Sequence, residues 1–426
     1  MQKLKILIIG SGGREHAIGW KIAQSLRVEK IFFAPGNAGT AKIGINIDIK
    51  AIDITKLVEF AKKEKIDLTL ALPDDPLALG IVDEFKKEGL HIWGPTKAAA
   101  KLEWSKAFAK NFMKKHNLPT AKFEIFSDYE MAKKYASDQI LPIVIKASGL
   151  ALGKGVIICE TREQAYETLK NIFIKKIFGE SGKEIVIEKF LAGPEISIHA
   201  LSDGKNYKIF PSSQDHKRIS EGDTGLNTGG MGVVAPLSFV RKETMDKIEK
   251  EIIAPTLKAM ADDGIPFEGI LYPSVMLTKD GPKIIEFNAR FGDPEAQVYM
   301  RLLNEDLLDI IEMCLDKKLD QMEIKWRNIF ACNIALASAG YPGNYEKGNP
   351  ILIEERGGGD DIVIFHAGTK IENNKLVTNG GRVLGVSATG NTLEEALAKA
   401  YSAVEKISFE GMQYRKDIGK TALSLK

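Results

Sequence analysis

The chain has 426 residues, with 59 Lys and Arg against 57 Asp and Glu. That near balance excludes a protein that binds polyanions through bulk charge, and the length allows roughly three domains of about 150 residues each. Hydrophobic residues at 44% and charged ones at 27% exclude a disordered chain or a coiled-coil rod.

Glycine is frequent, at 39 residues, which predicts tight loops close to ligands. Cys159, Cys314 and Cys332 show no CxxC pairing and no metal-ligand spacing, so neither a disulfide framework nor a zinc site is expected. The apolar run at the start, Leu4–Ile9, is too short for a signal peptide and reads as a strand. No run of about 18 apolar residues occurs, so no membrane helix is expected. The reading is a cytoplasmic multidomain α/β protein with no nucleic-acid or membrane partner.

In chain order, strands are expected at 4–9, 30–34, 68–72 and 91–93, with helices at 13–25, 54–64 and 79–88. Continuous apolar strands between amphipathic helices predict a parallel sheet covered on both faces. Residues 104–135 read as helical with one interruption at Leu118-Pro119-Thr120. Strands follow at 140–146 and 156–159 around a Gly-rich loop, then a helix at 162–176 and a strand at 184–190. Antiparallel strands are expected at 197–201 and 208–211, and again at 269–277 and 283–288, with a helix at 241–262. Residues 212–232 carry no periodicity and read as one long functional loop. The tail, 328–426, reads as strand-rich with one helix at 392–406.

The first Gly cluster follows a strand and opens a helix. It lacks the final Gly of a dinucleotide fingerprint, and the second strand ends in Phe33-Ala34-Pro35-Gly36 with no ribose-binding acid. A phosphate at the helix N-terminus remains possible there, because exposed N–H groups and the helix dipole suffice for it. The alternative is a tight turn with no ligand. A second turn, Pro35-Gly36-Asn37-Ala38-Gly39, lies at the ligand-binding edge of such a sheet.

The loop from Lys146 through Gly149 and Gly153 to Lys154-Gly155 fails as a Walker A motif in spacing and in its strand–loop–strand context. A Gly-rich hairpin can still cover a triphosphate with backbone N–H groups and a lysine. Lys146, at the end of a buried strand, predicts an anionic partner, either a ligand or a structural carboxylate.

In Glu286-Phe-Asn288-Ala-Arg290-Phe-Gly292-Asp293, strand periodicity puts Glu286, Asn288 and Arg290 on one face. A carboxylate beside an amide oxygen suits a hard cation that fills its other positions with phosphate and water. Arg290 would face the anion. The alternative is a solvated edge. Taken alone, His216 in the run Gln214–Arg218 reads as a hydrogen-bonded structural residue rather than a base.

Seven motifs in order carry a resemblance: Gly10–Ala17, Pro35–Gly39, the 146–155 loop, Gln214–Arg218, Asn227-Thr-Gly-Gly-Met-Gly232, Glu286–Glu295 and Tyr414–Gly419. Together they resemble the phosphoribosylamine–glycine ligase (glycinamide ribonucleotide synthetase) family of ATP-grasp enzymes, from about residue 4 to 420. The resemblance implies an α/β multidomain fold. Its parts would be an N-terminal parallel, Rossmann-like domain at 1–103, an ATP-grasp domain at 104–327 with a small mobile subdomain at about 122–191, and a C-terminal α+β domain at 328–426. It implies that glycine, ATP and 5-phosphoribosylamine give glycinamide ribonucleotide, ADP and phosphate through glycyl phosphate, in purine synthesis.

It also implies roles. Lys106, Lys146, Ser148, Gly149, Gly153, Lys154 and Gly155 would hold ATP phosphates. Glu188, Phe190 and Leu191 would read adenine, and Glu195 the ribose. Glu286 and Asn288 would hold Mg²⁺ or Mn²⁺. Asp215, Arg290 and Asp293 would hold glycine or its acyl phosphate. Phosphoribosylamine would meet Gly10, Gly12, Gly13, Arg14, Gly36, Asn37, Pro73, Asp74, Asn227, Thr228, Gly229 and Gly230. The stretch Asn379–Arg382 would close the far side of the cleft.

Asp74 is one methylene shorter than the family's Glu, and Leu226, Pro194 and Leu152 also depart from its pattern. The chain is expected to work as a monomer and, ending near 426, to lack the further enzymes fused to this ligase in animals. Rival readings are another ATP-grasp carboxylate ligase and a non-catalytic nucleotide-binding protein.

Overall fold

The computed structural model describes residues 3–150, 155–354 and 361–425. Gly153, Lys154 and Leu152 lie outside the described residues.

The first 93 residues build a parallel sheet in the strand order Ile45–Asn46, Val28–Pro35, Leu4–Gly10, Leu68–Ala71, Ile92–Trp93. Alternation along the central strand sends its side chains into two different cores. Leu7 and Ile9 pack with Leu57 and Phe85, while Ile6 and Ile8 pack with Ile18 and Ile22. Burial on both faces explains the unbroken apolar run. The expected helix at 79–88 is two helices, Asp74–Leu79 and Ile81–Lys87. They are separated by Gly80 at φ +94°, a conformation that disfavours any side chain.

Residues 123–189 form a small unit with its own core. Its antiparallel sheet runs Phe123–Phe126, Ile185–Lys189, Ile143–Ala147, Val156–Cys159. The helices Tyr129–Asp138 and Arg162–Phe173 cover it, burying Ala132, Ala136, Leu169 and Ile172. The edge strand Phe123–Phe126 was expected to be helix. It is four residues long and only half buried, too short to display a period.

The middle of the chain centres on the hairpin Glu268–Thr278 and Gly281–Asn288, flanked by Glu195–Ser197, Ala200–Asp203 and Tyr207–Ile209. The stretch 212–232 is not one loop. Gln214–Asp215 and Gly232–Ala235 are strands that extend the C-terminal sheet, and Arg218–Ser220 pairs with Thr224–Asn227. That sheet continues through Phe330–Ala337, Arg382–Gly390 and Ile362–His366. The period was hidden because the buried positions here include polar or small residues such as Gln214, His216 and Thr228. Helices Glu295–Leu302 and Leu307–Leu315 occupy a span in which no element was expected.

All three cysteines are buried and unpaired. Among the described residues no helix is long and apolar enough to cross a membrane.

Candidate functional site

A cleft of about 760 Å³ opens between the small sheet, the central hairpin and the C-terminal sheet. One end is a lattice of lysines and carboxylates. Lys106 begins the helix Lys106–Lys115, whose start is fixed by Ser105 and by Ser148. Ser148 Oγ accepts from the Ala107 N–H at 3.0 Å, and its carbonyl accepts from the Lys106 N–H at 2.8 Å. Lys106 Nζ lies 3.1 Å from Glu286 Oε2.

Lys146 and Glu188 face each other from neighbouring strands and form an ion pair, and Lys110 pairs with the second oxygen of Glu188. The anion expected for Lys146 is therefore, in this structure, the carboxylate expected to read adenine. Lys110 was missed, although it lies one turn beyond Lys106 on the same helix face. Burial lowers the Lys110 ammonium to about 8 against the pull of Glu188. Burial pushes the Glu188 carboxyl up, but Lys146 and Lys110 outweigh it and leave it below the usual range.

Glu286 is the hub. Lys217 Nζ lies 3.5 Å from its Oε1, 2.5 Å from Glu195 Oε1 and 3.2 Å from Ser274 Oγ. Burial alone would raise the Glu286 carboxyl; Lys106, Lys217 and Lys146 hold it well below the usual range. Two positions on, Asn288 Nδ2 donates to the Tyr272 carbonyl at 3.3 Å. Asn288 Oδ1 faces Arg290 Nη2 at 3.3 Å. The Arg290 fork is held by Glu103 at 2.8 Å and by the Phe291 carbonyl at 3.2 Å.

A carboxylate beside an amide oxygen fits a hard divalent cation that shares its remaining positions with phosphate. Among the described residues no group of three or more His, Cys, Asp or Glu side chains is placed to hold a metal ion. The chemistry of this donor pair fits a hard cation such as Mg²⁺ or Mn²⁺.

The other end gathers carboxylates under the C-terminal domain. Asp215 Oδ1 is buried with no hydrogen-bond partner among the described residues. Burial, then Glu295, pushes the Asp215 carboxyl well above the usual range. Gly230, at φ +111°, lets the chain pass close to Asp215: a Cβ there would sit 2.5 Å from Oδ1. Glu295 Oε1 accepts from Tyr272 Oη at 2.5 Å and from Ser197 Oγ at 3.0 Å. Arg382 Nη1 donates to the carbonyls of Gly229 (2.7 Å), Gly230 (3.2 Å) and Asp293 (2.6 Å), and Nη2 lies 3.3 Å from Asp293 Oδ2.

Of the residues expected to bind phosphoribosylamine, Arg14, Asp74, Asn227, Thr228 and Gly229 line this cleft. Gly10, Gly12, Gly13, Gly36, Asn37, Pro73 and Gly230 do not, nor does Ser148 on the ATP side. The first helix, where a phosphate or a ligand-free turn was expected, starts with a capping box. The Gly12 N–H donates to Glu15 Oε2 at 2.6 Å, and the Arg14 backbone bonds Asp293. Glu15 and Asp293 thus engage two of the N–H groups at this helix start. The second turn is a joint: Asn37 Nδ2 donates to the carbonyls of Ser11 (2.8 Å) and His366 (2.9 Å). Of the other expected residues, Lys106, Lys146, Gly149, Gly155, Glu188, Phe190, Leu191 and Glu195 reach the cleft wall, as do Asp215, Glu286, Asn288, Arg290 and Asp293. His216 does too, but its ring is tied to the Gly232 carbonyl (3.0 Å) and the Gly419 N–H (3.1 Å), as expected of a structural histidine.

Comparison with known proteins decides the family. Family models of phosphoribosylglycinamide synthetase match in three consecutive pieces: the N domain over 4–103, the ATP-grasp domain over 104–296 and the C domain over 331–421. The chain belongs to this family. It is therefore an ATP-grasp ligase. The phosphoribosylamine–glycine ligase of Chlorobaculum tepidum is 47% identical over 425 residues, 99% of this chain and 100% of that one. That of Vibrio vulnificus strain CMCP6 is 48% identical over 425 residues, 99% of each chain. The crystal structure of the Thermotoga maritima ligase matches with a TM-score of 0.85 and 38% identity, over 97% of this chain and 100% of that one. The biotin carboxylase domain of Hydrogenobacter thermophilus 2-oxoglutarate carboxylase shares the fold, with a TM-score of 0.75 and 18% identity over 97% of this chain and 92% of that one.

Proposed function

We propose that the chain ligates glycine to 5-phosphoribosylamine at the expense of ATP, giving glycinamide ribonucleotide, ADP and phosphate. The observation that carries this reading is that one cleft joins the lysine–carboxylate lattice to Asp215, Arg290 and Asp293. The nucleotide occupies the lattice. Lys106 and Lys146 meet its phosphates, Glu195 its ribose, and backbone around Phe190 and Leu191 its base. Glu286 and Asn288 hold Mg²⁺, which supplies charge neutralisation at the phosphates.

Glycine lies between Asp215 and Arg290. Its ammonium takes the unpaired Asp215 oxygen, and its carboxylate faces the guanidinium. In the first step a glycine carboxylate oxygen attacks the γ-phosphorus, and ADP leaves with the bridging oxygen. In the second, the amine of phosphoribosylamine, held by Arg14, Asp74 and the 227–229 segment, attacks the acyl carbon. Phosphate leaves and takes the proton that the amine gives up. Positioning and charge, rather than acid–base groups, do most of the chemistry. His216, at the cleft wall, is bonded through both ring nitrogens, which agrees with that division.

The test is ADP release with Mg²⁺-ATP, glycine and phosphoribosylamine generated in the cuvette. ADP that appears only with glycine and the amine together supports the reading. Turnover with bicarbonate or formate in place of glycine overturns the substrate assignment.

A further inference from the structure

Lys217 lies in the Gln214–Arg218 run, yet the reading above gives it no role. Its ammonium sits at the seam of the cleft. On one side is Glu195, at 2.5 Å, the carboxylate given to the ribose. On the other is Glu286, at 3.5 Å, the carboxylate given to the metal. Lys106 approaches the opposite oxygen of Glu286, so the two lysines flank that carboxylate. Asp215 is two residues away along the chain and feels the Lys217 charge.

The backbone holds the side chain in register. The Lys217 carbonyl accepts from the Thr228 N–H and from Thr228 Oγ1, each at 2.8 Å, and neighbouring His216 is pinned on both ring nitrogens. The Lys217 ammonium, set between these two carboxylates, stands where the nucleotide end of the cleft meets the glycine end.

We propose that Lys217 is a catalytic residue of the first half-reaction, its ammonium contacting the phosphoryl group in transit and the glycine carboxylate oxygen that attacks it. The proposal rests on the acyl-phosphate reading above. In that step a carboxylate approaches a triphosphate, so two anions must be brought together. The O–P bond to glycine forms as the bond from the γ-phosphorus to the bridging oxygen breaks, and that oxygen leaves on ADP with the electron pair. No proton moves. Lys217 stays protonated throughout and offsets charge on the equatorial oxygens. Three rotatable N–H donors on a flexible stem suit a group that must follow the phosphoryl from one side to the other.

The experiment is positional isotope exchange in ATP labelled with ¹⁸O at the β–γ bridge, with glycine and Mg²⁺ present and the amine omitted. It is run on the wild type, Lys217→Met and Lys217→Arg, with MgADP affinity by calorimetry and a melting curve for each. The wild type should scramble the label. Lys217→Met should lose exchange by about 100-fold or more, with MgADP affinity little changed, and Lys217→Arg should recover part of it. Wild-type exchange in Lys217→Met overturns the proposal and leaves the acyl-phosphate reading standing. A loss of MgADP affinity as steep as the loss of exchange also overturns it, because Lys217 would then act by holding Glu195 and Glu286. No exchange in the wild type overturns the acyl-phosphate reading itself.

Discussion

The backbone N–H of His366, in the last strand of the C-terminal sheet, donates to Nδ1 of His16, in the first helix, at 2.8 Å. The two rings lie 5.6 Å apart, and His16 also meets Phe365 edge-on at 5.7 Å. This contact and the Asn37 bonds join the N-terminal sheet to the C-terminal domain.

An accepting Nδ1 requires a neutral ring, so the joint should be sensitive to acid. Burial lowers His16 to about 3 and His366 to about 4, from an unfolded value near 6.5. Between those limits the unfolded chain binds protons that the folded chain does not. Stability is therefore complete above about pH 6.5 and is lost as pH falls toward 4. The melting temperature should fall across that window, and less steeply in His16→Asn, which keeps an acceptor and cannot titrate. His199 and His216 are buried as well, so the slope should shrink and not vanish. An unchanged slope would remove His16 from the account.

Glu286→Gln replaces the charged member of the proposed metal-binding pair by an amide and leaves Lys106 and Lys217 facing a neutral group. ADP formation should fall by about 100-fold or more. Mn²⁺ binding in the presence of ADP, followed by electron paramagnetic resonance, should weaken in parallel. Retained turnover would place the metal elsewhere.

Arg290→Lys keeps a charge and loses a planar fork. The guanidinium reaches Glu103, the Asn288 amide oxygen and the Phe291 carbonyl at once, and its buried Nε has no partner among the described residues. One ammonium cannot meet that set, so kcat/KM for glycine should drop by about tenfold or more. A near-normal rate would exclude Arg290 from glycine binding.

Arg382→Ala should act on the acceptor and spare the nucleotide. It removes three bonds to the carbonyls of Gly229, Gly230 and Asp293 and the ion pair that helps hold the Asp293 carboxyl low. The KM for phosphoribosylamine should rise by about tenfold, the cost of loosening a charge-assisted set, while MgADP affinity stays near wild type. Equal losses in both would mean that Arg382 supports the whole fold.

Elements with strong local patterns were legible before the structure. The helix Ile54–Glu64 lies where its periodicity put it, and so does the strand Val156–Cys159. The parallel sheet followed from apolar runs such as Leu4–Ile9. What stayed hidden depended on pairing between distant segments. Gln214–Asp215 becomes a strand only because Gly232–Ala235 lies beside it and Phe330–Ala337 beside that. In the site, residues on one strand face were legible, as with Glu286 and Asn288. Glu103 and Lys110 were not, because each gains meaning from a partner 187 or 78 positions away (Arg290–Glu103, Lys110–Glu188), and of Arg382 only its place at the far side of the cleft was legible, not its pairing with Asp293. The setting of the first helix start was hidden for the same reason, since Asp293 bonds the Arg14 backbone there from a remote segment.

The burial of all three thiols bears on how motion in this chain can be watched. Cys159 and Cys332 have no exposed surface and Cys314 has 3%, and burial pushes the thiols of Cys314 and Cys332 up to about 12. Neither thiolate forms near neutral pH, so maleimide and iodoacetamide dyes find almost no native target. Cysteines introduced at Leu26, 92% exposed beside the parallel sheet, and at Ile140, 87% exposed on the small sheet, would carry a donor and an acceptor fluorophore on an otherwise silent background. The distance between those dyes, with and without nucleotide, would report whether one unit moves against the other.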